Sequence, residues 1–252
     1  MATPIALITG ASAGLGVDFA RQLRAKGYQL VLVARRKDRL DALAAELGHA
    51  RVVACDLGEV GAVGRLMDDL RAADETVSLL VNNAGFGLGG RFAALDGARQ
   101  RGMIDLNCGA LTELAHAVLP DMLARKKGLI VNVASTAAFQ PGPGMAVYFA
   151  TKAFVLSFSE ALHEELRGQG ITVTALCPGP TATEFGEVAG FGKSSPFEKL
   201  AANSANVVRA GLEGLEAGKA IVVPGLLNKA SAQGHRLLPR ALLRRIAAVV
   251  KK

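Results

Sequence analysis

The sequence predicts a doubly wound α/β fold, with a mostly parallel sheet and helices on both of its faces. Three observations predict it. Seven short apolar runs alternate with helix-length segments along the 252 residues. Most of these runs are apolar throughout rather than alternating, as strands covered on both faces are. A glycine-rich turn, "TGASAGLG" (9–16), joins the first run to the first helical pattern. Repeated strand–helix–strand order then implies parallel strands joined by right-handed crossovers.

The elements follow in order. Strand candidates are "IALIT" (5–9), "QLVLVA" (29–34), "RVVAC" (51–55), "SLLVNN" (78–83), "GLIVNVAS" (128–135), "ITVTALC" (171–177) and "AIVVP" (220–224). Helical patterns begin near Gly14, Arg36, Glu59, Asp96, Tyr148 and Ser204. No linker, repeat or low-complexity tract divides the chain, so residues 1–252 are expected to form a single domain. One segment breaks the rhythm: "TATEFGEVAGFGKSSPFEK" (181–199) is rich in Gly, Ser and Thr and directly follows the sixth strand. Ligands in such folds bind outside the carboxyl ends of strands, so residues 181–203 are read as a substrate lid.

Composition excludes several classes. Hydrophobic residues make up 50%, too many for a disordered chain. The N-terminus enters the first strand with no basic region or cleavage site, and no run of about 18 apolar residues exists to span a bilayer. Cys55, Cys108 and Cys177 are odd in number and scattered, the pattern of reduced thiols in a cytoplasmic protein. The four histidines show no ligand spacing, and no metal site is expected. A net charge of +7 invites a nucleic-acid reading, but the basic residues cluster only in "ARRKDR" (34–39) and at the C-terminus. Two tyrosines and no tryptophan leave nothing for base stacking, so no nucleic-acid partner is expected.

In the turn after the first strand, Gly10 permits a tight bend, Gly14 lets the backbone approach an anion, and Gly16 allows close helix–strand packing. The helix N-terminus then offers unpaired N–H groups to a pyrophosphate. This TGxxxGxG pattern, followed by "NNAG" (82–85), Ser135 and a YxxxK motif at Tyr148 and Lys152, resembles the short-chain dehydrogenase/reductase family. Asn107 in "LNCG" and the stretch "CPGPTATEF" (177–185) match as well, and the likeness runs over about residues 4–225. The resemblance implies a seven-stranded Rossmann-type sheet, a bound nicotinamide dinucleotide, and a homodimer or homotetramer.

The second strand candidate ends "VLVARRKD", with no acid before Asp38. An acidic residue at this place binds a ribose 2′-hydroxyl, whereas arginine accommodates a 2′-phosphate. NADP(H) is therefore expected in preference to NAD(H), with Arg35 as main contact, Arg36 beside it or capping the next helix in solvent, and Ser12 assisting. The resemblance also implies Gly10, Leu15 and Gly16 at the phosphates, and Asp56 and Leu57 at the adenine. It sets Asn83, Ala84 and Gly85 along the adenosine side; the alternative is that Asn82 and Asn83 only brace the sheet through side-chain bonds, a reading that weighs equally for Asn82. Pro178, Gly179, Thr181 and Thr183 would lie by the nicotinamide.

Tyr148 and Lys152, at i and i+4, share one helical face. A free phenol, with a pKa near 10, exchanges protons poorly at neutral pH. A cation about 4 Å away at an effective dielectric near 20 is worth roughly 4 kcal/mol, about three pKa units, which would bring Tyr148 near neutrality. The resemblance implies Tyr148 as proton donor to a carbonyl oxygen and Lys152 as its tuning cation and ribose anchor. Ser135, at the end of the fifth strand, would stabilise the developing oxyanion, and Asn107 would hold a proton-relaying water. The expected activity is NADPH-dependent reduction of a ketone or aldehyde, or its reverse. The alternative is a dinucleotide-binding regulatory or membrane-surface protein without turnover.

Phe86, Phe139, Met145, Phe185 and Phe191 are expected near the cleft and point to an apolar carbonyl substrate. The C-terminal region (234–252) ends in "RALLRRIAAVVKK", whose apolar positions 242, 243, 246, 249 and 250 share one helical face. It fits packing on the body or a neighbouring subunit, a frayed end, or weak contact with an anionic membrane surface. Arg35→Ala is expected to raise KM for NADPH far more than for NADH in steady-state assays; equal effects would sink the phosphate assignment.

Overall fold

In the computed structural model, which describes residues 3–190, 201–234 and 239–249, alternate residues of each strand bury into opposite faces of one sheet. Ala6 and Ile8 of β1 (Ile5–Thr9) face one side, with Leu30 and Leu32 of β2 (Gln29–Ala34). Ile5 and Leu7 face the other, with Val31 and Val33. Both sets are buried, which is why these strands carry no polar alternation. With β3 (Ala50–Ala54), β4 (Val77–Asn82), β5 (Gly128–Val133), β6 (Ile171–Leu176) and β7 (Ile221–Val222), they form a seven-stranded sheet in the order β3-β2-β1-β4-β5-β6-β7. Every pairing is parallel. The fold class expected from the sequence is the one observed.

Helices α1 (Leu15–Ala25) and α2 (Lys37–Leu47) cover one face through Phe19, Leu23, Leu40 and Leu43. Helix α3 (Ala62–Ala72) covers the other through Val63, Leu66 and Leu70. Next come α4 (Gly97–Ile104), a π-helical stretch (Asp105–Ala110) and α5 (Leu111–Ala124), which run on without a break and set Leu114, Val118 and Met122 on the α3 side. Helix α6 (Ala146–Glu165) packs against β6 and β5. After β6 come the short α7 (Phe185–Val188), then α8 (Ser204–Glu216) on the α1 face, α9 (Leu226–Gly234) and α10 (Arg240–Val249). Among the described residues, no helix is long and apolar enough to cross a membrane.

Among the boundaries that differ from expectation, four are notable. Strand β5 stops at Val133, so Ser135 is not its last residue; it caps a 3-10 turn (Thr136–Phe139) by accepting from the Ala137 amide at 3.1 Å. Strand β7 shrinks to two residues because Pro178 and Pro224 carry no amide hydrogen to extend the ladder. Helix α3 begins at Ala62 rather than near Glu59, because Gly61 takes a left-handed φ of 75°. Helix α6 begins at Ala146, ahead of Tyr148.

The C-terminal stripe is only partly used. Leu243 is buried, while Leu242 and Ile246 on the same expected face are exposed. The side chains at positions 249 and 250 lie outside the described residues. Among the phenylalanines assigned to the cleft, Phe139 instead packs with Ala134, Val155 and Leu156. Phe191 lies outside the described residues.

Phe19 is fully buried between α1 and the sheet. Phe19→Ala is expected to lower unfolding free energy by about 3–5 kcal/mol in urea titrations, the usual range for removing a buried aromatic ring.

Candidate active site

Gly10 and Gly14 adopt φ of 67° and 54°, values that favour glycine, and so turn the chain from β1 into α1. A Cβ at Gly16 would lie 2.2 Å from the Gly10 carbonyl oxygen, so only glycine fits. No side chain caps α1 at Gly14, which leaves its first-turn N–H groups suited to an anion. The loop is held from β4: the Thr9 hydroxyl accepts from the amides of Asn83 (3.0 Å) and Ala84 (2.9 Å). The Asn83 side-chain amide donates to the carbonyls of Thr9 (2.9 Å) and Gly10 (3.3 Å). Asn82 is buried and donates to Asn132 Oδ1 (3.0 Å) and the Leu111 carbonyl (3.2 Å). Both asparagine side chains therefore brace the fold. Leu15, the first residue of α1, packs on the core, and the glycine turn with this helix start fits the phosphates of a dinucleotide.

The arginines at the end of β2 diverge. Arg35 is largely exposed, with Nη1 3.6 Å from the Asp56 carboxylate. Arg36 turns back to the glycine loop, its Nε donating to Ser12 Oγ (3.2 Å) and Nη2 to the Ser12 carbonyl (3.4 Å). Its Nη1 donates to Glu184 (2.9 Å), and Arg39 donates to the same carboxylate. Two guanidiniums hold the Glu184 carboxyl below its usual range, Arg39 most strongly. Arg36 is also the N-cap residue of α2, through its backbone and not its side chain. Asp56 accepts from the Gly58 amide, and Leu57 is buried with Val33 and Val63. Arg36 beside Ser12 fits a 2′-phosphate, the group guanidiniums bind with charge-assisted bonds.

Tyr148 and Lys152 are buried, together with Asn107. Burial pushes the Tyr148 phenol up to about 12, offset in part by the hydroxyl of Ser135 beside it. The expectation of a phenol near neutrality is not met. The Lys152 ammonium lies 5.9 Å from the ring centroid of Tyr148 and donates to the Val133 carbonyl at 2.7 Å. Burial lowers Lys152 itself to about 8. Asn107 sits in the π-helical stretch, a form common at functional sites. Its amide accepts from the Phe86 N–H (3.1 Å) and donates to the Phe86 carbonyl (3.0 Å) and Thr151 Oγ1 (3.1 Å). A Cβ at Gly85 would lie 2.8 Å from Asn107 Oδ1 and 3.8 Å from Lys152 Nζ, so glycine leaves that space open.

The chain after β6 closes over both halves. The Pro178 carbonyl accepts from Thr136 N–H (2.8 Å) and Ser135 Oγ (3.4 Å). The Gly179 Cα lies against the Asn228 side chain, where a Cβ would come within 2.4 Å. A bridge between Thr181 and Ala202 joins the two ends of the segment. Thr183 covers Gly14, where a Cβ would meet its methyl at 2.9 Å. Phe185 lies over Tyr148, with ring centroids 5.1 Å apart. Phe86, Leu88, Met103, Met145 and Ala189 complete this apolar cluster. Arg39 and Glu184 were not anticipated from the sequence. Their only signals were membership of the basic run and adjacency to Thr183, neither of which implies a pair 145 residues apart.

A charged lysine is disfavoured in this burial, so below about pH 8 folding bears the penalty of burying the ammonium. That penalty fades as pH rises from about 8 toward the ordinary lysine value of 10.5. Lys152→Met removes the charge. Its stability relative to wild type, from urea unfolding at fixed pH, is expected to be highest below pH 8 and to decline by pH 10.5.

A sequence model of the short chain dehydrogenase family matches residues 4–191. The serine 3-dehydrogenase of Agrobacterium fabrum is 39% identical over 181 residues, 71% of this chain and 72% of its own. The NADP-dependent 3-hydroxy acid dehydrogenase YdfG of Salmonella typhi is 40% identical over 192 residues, 73% of this chain and 75% of its own. A short-chain dehydrogenase from Sphingobium yanoikuyae, solved in complex with NADPH, superposes with a TM-score of 0.84 at 37% identity, covering 93% of this chain and 94% of that one. With a glycine loop after β1, a buried Tyr148–Lys152 pair and Ser135 at the same centre, this chain belongs to the short-chain dehydrogenase/reductase family of oxidoreductases acting on CH–OH groups.

Proposed function

We propose that the protein reduces a ketone or aldehyde with NADPH, or oxidises the corresponding alcohol with NADP, using Tyr148 as general acid and base. The observation that carries this reading is the buried phenol of Tyr148 beside the Ser135 hydroxyl, one helical turn from Lys152. Arg36 at Ser12 and the NADP or NADPH of two relatives support the phosphorylated cofactor. The glycine loop and the Arg35–Arg36 pair would hold its phosphates, and the bound cofactor supplies or accepts hydride.

The chain's own groups divide the remaining work. A phenol raised to about 12 stays protonated at neutral pH, the form that donates to a carbonyl oxygen during reduction. Ser135 Oγ, in contact with the same phenol, hydrogen-bonds that oxygen and stabilises its developing charge. Lys152 keeps a charged ammonium at neutral pH, with one bond to the Val133 carbonyl and two hydrogens free for a ribose hydroxyl. The space that Gly85 leaves between Asn107 Oδ1 and Lys152 Nζ suits a water that resupplies the proton. Phe86, Leu88, Met103 and Met145 around Tyr148 favour an apolar carbonyl substrate. Residues 181–190 and 201–203 would belong to a lid, whose expected middle, 191–200, lies outside the described residues; the protein would be a single-domain, cytoplasmic homodimer or homotetramer.

Tyr148→Phe is expected to cut turnover at least about a hundredfold across a ketone panel, the lower end of what general acids contribute. NADPH binding, followed by cofactor fluorescence, is expected to persist; a variant keeping most of its rate would refute the role.

A further inference from the structure

We propose that Glu184 is a cofactor-selecting latch, whose carboxylate holds Arg36, beside Ser12, together with Arg39 until the 2′-phosphate of NADP(H) displaces it and frees Tyr148. The proposal rests on the NADP(H) reading above. Three consecutive residues make three separate contacts. Thr183 lies on Gly14 of the phosphate loop, Glu184 bridges Arg36 and Arg39, and Phe185 covers the ring of Tyr148. Phe185 is also wedged against Gly87, where a Cβ would meet its Cζ at 2.7 Å. The segment thus spans from the cofactor's charged end to the reacting phenol in two peptide steps.

The chemistry makes the contact competitive. Arg36 reaches both Ser12 and Glu184, so the carboxylate occupies one side of the guanidinium that a 2′-phosphate needs. A phosphate monoester carries more charge and more acceptor oxygens than a carboxylate, and two anions on one arginine pair repel each other. Both ion pairs of Glu184 are about two-fifths exposed, and such pairs are individually weak. A phosphate displaces Glu184, and Phe185, its neighbour in the chain, moves with it. NADH carries no 2′-phosphate, so the latch stays shut and Phe185 stays on Tyr148. Cofactor choice is then expressed in turnover as well as in affinity.

The test uses the full chain and Glu184→Gln, with calorimetric titration of adenosine 2′,5′-bisphosphate and adenosine 5′-monophosphate, followed by turnover with NADPH and NADH. The variant is expected to bind the bisphosphate about fivefold tighter, the scale of one exposed ion pair, with the monophosphate unchanged. Its kcat with NADH is expected to rise severalfold, and Phe185→Ala, which loosens the other end, is expected to raise it too. Weaker bisphosphate binding by Glu184→Gln would make Glu184 an orienting group for the arginines and overturn the latch. Unchanged binding would overturn it as well. If wild type fails to prefer the bisphosphate at all, the NADP(H) reading itself falls, and the latch with it.

Discussion

The hydroxyl of Thr9 and the side-chain amide of Asn83 form the junction on which the site depends. Strand order reverses between β1 and β4, and the chain leaves these neighbouring strands in different directions. A crevice forms where it does so, which is where ligands bind in open α/β sheets. Thr9 accepts two amides from the β4 end and donates to the Val81 carbonyl at 3.2 Å. Asn83 returns two bonds to the turn at Thr9 and Gly10. The glycine loop is therefore clamped by partly buried, mutually bonded polar groups, whose loss would leave backbone amides without their partners.

A second buried polar chain carries this order to the reacting centre. Asn82 bonds Asn132, and Asn132 donates to Ser159 at 3.0 Å on α6, the helix that also bears Tyr148 and Lys152. Helix α6 is thus registered against β5, and Lys152 meets the Val133 carbonyl at that strand's end. Packing that places the two titrating groups also desolvates them. The phenol is driven up and the ammonium down, each toward its neutral form. Burial thus favours the neutral form of each group before any ligand contributes charge.

Much of this was legible in the residues, for reasons that differ by element. The fully apolar strands announced a sheet buried on both faces, because period-two exposure is absent where both faces are covered. The spacing of Gly10, Gly14 and Gly16 announced the loop, since sterics there admit little else. Ser135, Tyr148, Lys152 and Asn107 were named from their motifs; in the structure Ser135 lies beside Tyr148, and Asn107 bonds Thr151, next to Lys152 on the same helix. Their electrostatics were not legible: helical spacing gives the distance along α6 but not where the lysine points. The contact of Glu184 with Arg36 and Arg39 was equally hidden, because long-range pairs leave no periodic signal.

The sequence by itself determined the order and type of the elements, the glycine turn and the identity of the groups able to move a proton. Those properties are local, set by backbone sterics, hydrophobic periodicity and side-chain chemistry. Tertiary structure alone decided that the phenol lies at about 12 rather than near neutrality, that Arg36 rather than Arg35 meets Ser12, and that Phe185 sits on Tyr148. Each of these depends on burial and on groups distant along the chain, and desolvation and charge pairing exist only once the chain has closed on itself.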